Sequence, residues 1–361
     1  MKLKKIDVFD SFCTLLKEKR GSMLYLAPGD SPYIRIGDTI SRLDTVAPID
    51  KKMTSDFVNL LITLSIAKIE KPVKESSFNY ESKAAGTFKV LAANGHNGYM
   101  LSISPIYQEI PELHSLDLPD VIKNLVHTQS GLILAIGKHN SGKSETLASF
   151  VDYINKHYNK RIIVMENPTR YFHKDWLSIV KQPFVSLTEV FDSSNTFERT
   201  ISEASVLAID GFSMYETLKF SLSALKKGLL VIAAIRANGG VSEALRLMIE
   251  CFPENDRHTA RKVLATTLKA LFWQNLLPGG TAVVPVFEIL LNDPVISTLI
   301  YNEQYHLLRP TMAAGAGRGM KSITQALAEA STAGIISKAV IERFREYSYT
   351  YYVNPVKEAY S

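Results

Sequence analysis

Gly137-Lys138-His139-Asn140-Ser141-Gly142-Lys143-Ser144 follows the spacing G-x-x-x-x-G-K-[ST]. Ahead of it runs Leu132-Ile133-Leu134-Ala135-Ile136, an apolar stretch of strand length, and residues 146–154 behind it have helical spacing. Strand, glycine-punctuated loop and helix in that order leave few folds open. The glycines let successive backbone N–H groups turn inward, the helix presents the positive end of its dipole, and an all-apolar strand must be covered on both faces. The pattern implies an α/β domain that takes a nucleoside triphosphate. Gly137, Asn140, Ser141, Gly142, Lys143 and Ser144, with Glu145 opening the helix, form the candidate binding set. Lys143 would reach the terminal phosphates and Ser144 would offer its hydroxyl to Mg²⁺. The competing reading is a Gly/Ser-rich turn in an unrelated α/β protein.

The rest of the chain supplies what such a domain needs. From residue 121 onward apolar strands at 132–136, 161–165, 206–209 and 229–235 alternate with helices such as 216–226, the signature of a parallel sheet covered on both faces. Beyond them, 255–277 reads as one long helical stretch, 282–291 as a strand and 323–347 as one or two helices. Before them, residues 1–106 read as a small α+β module. Helices are expected at 9–19 and 55–69, and strands at 23–26, 33–36, 87–92 and 99–104. Residues 107–119, with Pro111 and Pro119 and little periodicity, suit a linker, leaving 120–361 as the nucleotide-binding domain. At 361 residues there is room for two cores.

Composition narrows the class without choosing a function. With 46% hydrophobic and 21% charged residues the chain reads as globular, and no apolar run approaches the ~20 residues of a membrane span. The basic start is interrupted by Asp7, Asp10 and Ser11, so a cytoplasmic chain without its own anchor is expected. Cys13 and Cys251 lie far apart in apolar surroundings and read as buried thiols. A net charge of +5 suits an acidic protein, a membrane face or nucleic acid alike, but there is no zinc pattern or basic stripe to favour the last. The aromatic end, 347–352, is expected to pack back on its own domain or to dock a partner.

A longer ordered series of motifs resembles the type IV pilus retraction ATPases (PilT-like) of the type II/type IV secretion ATPase superfamily. Residues 24–35 are similar to that family's DLHLSAG-x-P-x-x-R segment, and 131–144 followed by Val151-Asp152-Tyr153-Ile154-Asn155 to its GLVLVTG-x-x-GSGKST…DYIN. Glu166-Asn167-Pro168, Phe252-Pro253, Gln274, Phe287-Glu288-Ile289 and Gly319-Met320 fall in the family's order. The resemblance implies a RecA-like P-loop NTPase domain with a parallel sheet, preceded by a smaller PAS-like α+β domain. It further implies ATP with Mg²⁺ as cofactors and a hexameric ring, of this chain or with a paralogous ATPase. The ring would be held at the inner membrane by a platform protein and would drive pilus retraction or secretion.

Several positions depart from the family. Its acidic EDP-x-E box is Glu166-Asn167-Pro168-Thr169-Arg170 here, and the glutamate closing the Walker B strand aligns with Gly211. The family's histidine falls at Arg236, and its N-terminal arginines at Thr87, Lys89 and Ser104. The retraction-associated helix falls at 295–300, without its arginines. Missing cations at phosphoryl-transfer sites cost roughly 10³ to 10⁵ in rate where they act as arginine fingers. Asp210, ending the apolar run Val206-Leu207-Ala208-Ile209, is the candidate metal ligand beside Ser144, with a strand-end turn residue as its other reading. Glu166, Asp210 and Arg236 are the candidate catalytic groups, and Arg170, Lys89 and Glu203 are possible substitutes that also read as surface or interface charges. Gly211→Glu would restore the missing carboxylate if the backbone there accepts a side chain. A motor with weak or rearranged hydrolysis and a non-hydrolysing accessory subunit both remain open.

Overall fold

The computed structural model describes residues 2–19, 21–36, 39–64, 75–167, 169–183, 194–279, 283–342 and 344. Residues 65–69 of the second expected helix, Pro168 and the aromatic end 347–352 lie outside them. The chain forms two compact units, Met1–Glu109 with Pro168–Phe172, and Ile110–Asn167 with His173–Ser361.

In the first unit, the helices Lys2–Glu18 and Lys51–Leu64 accompany six strands: β1 (Met23–Leu26), β2 (Tyr33–Ile36), β3 (Thr39–Arg42), β4 (Glu75–Ser82), β5 (Gly86–Gly95) and β6 (Gly98–Ile106). They pair antiparallel in the order β3-β2-β1-β6-β5-β4. The expected α+β character is found, with two strands more than periodicity suggested. In β4, Phe78 and Tyr80 alternate inward between polar residues, a period-2 signal too short to stand out. Phe9 and Phe57 meet edge to face at 5.1 Å, Phe9 and Tyr80 at 4.9 Å. Tyr80 is buried, and its hydroxyl donates to Asp10 Oδ1 at 2.9 Å. Burial, with Asp10 close by, pushes its pKa up. Lys89 and Ser104 are cross-strand neighbours on β5 and β6.

Seven strands build the second unit: β7 (Gly131–Gly137), β8 (Arg161–Glu166), β9 (Ile179–Lys181), β10 (Val206–Asp210), β11 (Leu230–Arg236), β12 (Leu268–Pro278) and β13 (Val283–Leu291). Their order is β13-β12-β7-β11-β10-β8-β9, parallel except for the edge pair β12–β13. Every residue of β7 is buried, and its side chains alternate between two cores. Leu132, Leu134 and Ile136 join one, Ile133 and Ala135 the other. That is why this strand reads as an unbroken apolar run. Helix Met214–Lys226 starts on a capping box, Ser213 Oγ accepting from Glu216 N and Glu216 accepting from Ser213 N at 2.8 Å. Of the stretch 107–119, Leu113 and Leu118 are buried in the second unit's core.

One expected element is corrected. The helical reading of 255–277 is right for Glu254–Thr267 but fails from Leu268, where the chain runs on as β12. Residues 268–277 are mostly good helix formers and carry no glycine or proline to mark the change. Pairing with β7 on one side and β13 on the other overrides that local preference.

Between β8 and β9 the segment 173–178 is pinned to the end of helix Lys143–His157. Asn155 Nδ2 donates to Lys174 O at 2.6 Å, Asn155 Oδ1 accepts from Trp176 N at 3.2 Å, and Ser178 Oγ donates to Tyr158 O at 2.5 Å. His173 is buried here, and its Nδ1 makes no hydrogen bond. Burial pulls its pKa down from 6.5 to about 4, with Asp152 acting the other way. The unfolded chain therefore takes up a proton that the folded chain resists. The stabilisation is complete above pH 6.5 and is lost as the pH falls toward 4. We expect His173→Gln to flatten the fall in thermal midpoint of the parent between pH 7 and pH 4.5. The parent's extra loss over that range should be about 2 kcal/mol, and parallel curves for the two proteins would refute this.

Candidate functional site

The C-terminal ends of β7, β8, β10 and β11 lie side by side, the edge of an open parallel sheet where ligands bind. The loop leaving β7 needs left-handed backbone at three places, Asn140 (φ 55°), Gly142 (φ 86°) and, close to extended, Gly137 (φ 155°). Space adds to what the dihedrals demand, most firmly at Gly137, where the neighbour is backbone. A Cβ on Gly137 would sit 2.2 Å from Gln274 O, and one on Gly142 2.5 Å from Gln274 Nε2. Gln274 belongs to β12, is buried, and accepts from Thr146 Oγ1 at 3.0 Å. It buttresses both the loop and the first turn of helix Lys143–His157. The sequence marks it as one of the motifs in the family's order, but the helical reading of the run around it gave it no structural role.

The predicted binding residues come together. Lys143 is buried, and its Nζ donates to Lys138 O at 2.5 Å and to Ser141 Oγ at 3.0 Å, so the ammonium lies inside the loop. Ser144 Oγ donates to Asp210 Oδ2 at 2.5 Å. Motifs 66 residues apart in the chain thus meet as a hydroxyl and a carboxylate at the loop's base. Oxygen donors of this kind suit a hard divalent cation. Glu145 is exposed in the first helical turn, where its charge complements the dipole.

Glu166 ends β8 directly opposite Asp210, which ends β10. Arg236 ends β11 opposite Gly137, and its Nη2 lies 3.1 Å from His139 Nδ1. An imidazole with Nδ1 as acceptor satisfies that contact. His139 occupies a variable position of the motif, so spacing alone gave it no role. Of the proposed substitutes, Glu203 lies away from this edge. It is paired with Arg161, the first residue of β8, about 16 Å of strand away from Glu166. Arg170 belongs with the first unit, where its carbonyl accepts from Tyr107 N at 2.6 Å, and Lys89 is also in that unit.

Gly211 overturns one sequence-based option. Its φ is +84°, and a Cβ there would lie 1.9 Å from Asn167 O and 2.7 Å from Asn167 C. Asn167 N also donates to Asp210 O at 3.1 Å. The chain leaving β8 therefore crosses the end of β10 backbone against backbone, and Gly211→Glu cannot restore a carboxylate by simple substitution.

No family model matches the chain. Over 333 residues, 91% of this chain and 86% of the relative, it is 29% identical to the type IV pilus ATPase PilU of Pseudomonas aeruginosa. The crystal structure of the pilus retraction motor PilT with bound ADP superposes with a TM-score of 0.71 at 25% identity, covering 92% of this chain and 96% of PilT. The ATPase DotB of Legionella pneumophila, 17% identical, shares the fold over 94% of this chain and 95% of its own, with a TM-score of 0.69.

Gly211→Ala is expected to destabilise the second unit by more than about 2 kcal/mol. A left-handed non-glycine residue costs ~1–2 kcal/mol, and the overlap with Asn167 adds at least about 1. Urea unfolding followed by tryptophan fluorescence measures it. A variant with the parent's midpoint would mean that the crossing yields.

Proposed function

We propose that this chain, a divergent homologue of the PilT and PilU ATPases, is an ATP-binding subunit of a pilus or secretion motor ring with weak or rearranged hydrolysis. Similarity to retraction and secretion ATPases over nearly the whole length supports a ring ATPase. Among the described residues no helix is long and apolar enough to cross a membrane. In this reading the ring is hexameric, of this chain or mixed with a paralogue, and sits in the cytoplasm against an inner-membrane platform protein.

The Ser144–Asp210 contact beneath the loop carries the reading. Gly137, Asn140, Ser141 and Gly142 would turn backbone N–H groups toward the phosphates, and Lys143 would exchange Lys138 O for phosphate oxygens. Ser144 and Asp210 would hold Mg²⁺, the donor chemistry at that point being right for it. When bound, the cation neutralises charge on the phosphates. Glu166, the strand-end carboxylate opposite Asp210, would then orient or deprotonate water, and Arg236, beside His139 of the loop, would meet the γ-phosphate.

Chemistry assembled this way lacks parts. The position aligned with the family's Walker B glutamate is closed by Asn167, and the box that would end in an acid ends in Arg170. This favours slow turnover, and in the limit the second reading, an accessory subunit that holds nucleotide without hydrolysing it. Calorimetric titration separates binding from chemistry. Lys143→Ala should weaken ATP·Mg²⁺ affinity about tenfold or more, and Asp210→Ala should remove most of the Mg²⁺ dependence. Steady-state hydrolysis by the parent is expected well below ~1 s⁻¹, the low end of ordinary enzymes. Equal affinity in parent and Lys143→Ala would sink the site, while turnover at or above that rate would sink the degenerate-motor reading and leave binding intact.

A further inference from the structure

Glu288 has no role in the chemistry above, yet it is fully buried on β13. Its Oε2 accepts from Val241 N at 2.8 Å. Val241 opens helix Val241–Glu250, whose N-cap is Gly240, a residue with no side chain to cap with. Glu288 thus supplies from another strand the acceptor that the local sequence lacks. Burial raises its pKa, opposed by the Val241 N–H, by Arg309 and by the N–H of Ile323, which opens helix Ile323–Thr332.

The capped helix start matters for what precedes it. Only residues 237–240 separate it from Arg236 at the end of β11. That connection is tied at its near end, where Ala237 N donates to Gly137 O at 3.1 Å. At its far end the tie is Glu288. Between the two ties lie Asn238, Gly239 and Gly240, and two adjacent glycines give a backbone little stiffness of its own.

We propose that Glu288 is a positioning residue for Arg236: by capping helix Val241–Glu250 from β13, it holds the 237–240 connection taut and keeps the Arg236 guanidinium over the phosphate loop beside His139. This rests on the reading that Arg236 meets the γ-phosphate.

The test compares ATP with ADP, both with Mg²⁺, because a group aimed at the γ-phosphate changes the preference between them. A loss of general stability would weaken both alike. Arg236→Ala should lower the ATP-over-ADP preference about tenfold, the effect of one charge-assisted hydrogen bond. Glu288→Met should lower it similarly, and adding Arg236→Ala to Glu288→Met should lower it no further. Gly240→Asp, which supplies a local cap, should return Glu288→Met toward the parent. If Glu288→Met does not fold, Glu288→Gln carries the test with an expected loss of about threefold, because a neutral amide is the weaker acceptor. Parent-like preference in a folded Glu288 variant, with Arg236→Ala defective, overturns the positioning role alone. Parent-like preference in Arg236→Ala overturns the γ-phosphate reading, and the positioning role with it.

Discussion

Absence of side chains where β12 lies against the phosphate loop is the constraint on which the rest of the nucleotide unit depends. Gly137 and Gly142 bring the loop backbone within van der Waals range of Gln274, so close that a methyl group at either position would overlap it. Gln274 in turn accepts from Thr146 in the first turn of helix Lys143–His157. Strand, loop and helix are thereby held from one side by a single buried amide, while Ser144 and Asp210 close the other. A curled loop with left-handed residues is costly to keep in isolation, and these neighbours over-determine it.

The same economy of space appears at the end of β10 with a different consequence. There the chain leaving β8 presses its Asn167 carbonyl onto Gly211. At Gly211 it fills the place where an acidic side chain would stand. What remains at the sheet edge is a sparse set: Ser144 with Asp210, Glu166 on the neighbouring strand end, and Arg236 against His139. Such a set can hold a charged ligand more readily than it can drive chemistry, because phosphoryl transfer relies on several positioned charges acting as a unit. In the proposed reading binding and turnover separate, and Glu288, which caps the helix after the loop that follows β11, would bear on how firmly one of those charges is held.

The phosphate loop, the strand before it and the helix after it were legible in the sequence because each has a strong local cause: glycine spacing, an unbroken apolar run, and 3.6-residue periodicity. The other central strands were legible for the same reason, and β8, β10 and β11 lie within a residue or two of where apolarity put them. Asp210 was legible as the polar end of such a run. Tertiary structure alone decided the rest. Leu268–Pro278 became a strand because β7 and β13 flank it, a pairing that its own helix-forming residues do not encode. Gln274 gained its role only through that pairing, Glu203 was removed from the site by lying at the opposite end of β8, and Gly211 was closed by a backbone crossing from a neighbouring strand. Local propensity and periodicity act over a few residues and so are written along the chain. Which side chain meets which backbone across strands depends on register and sheet order, and those exist only once distant segments have packed.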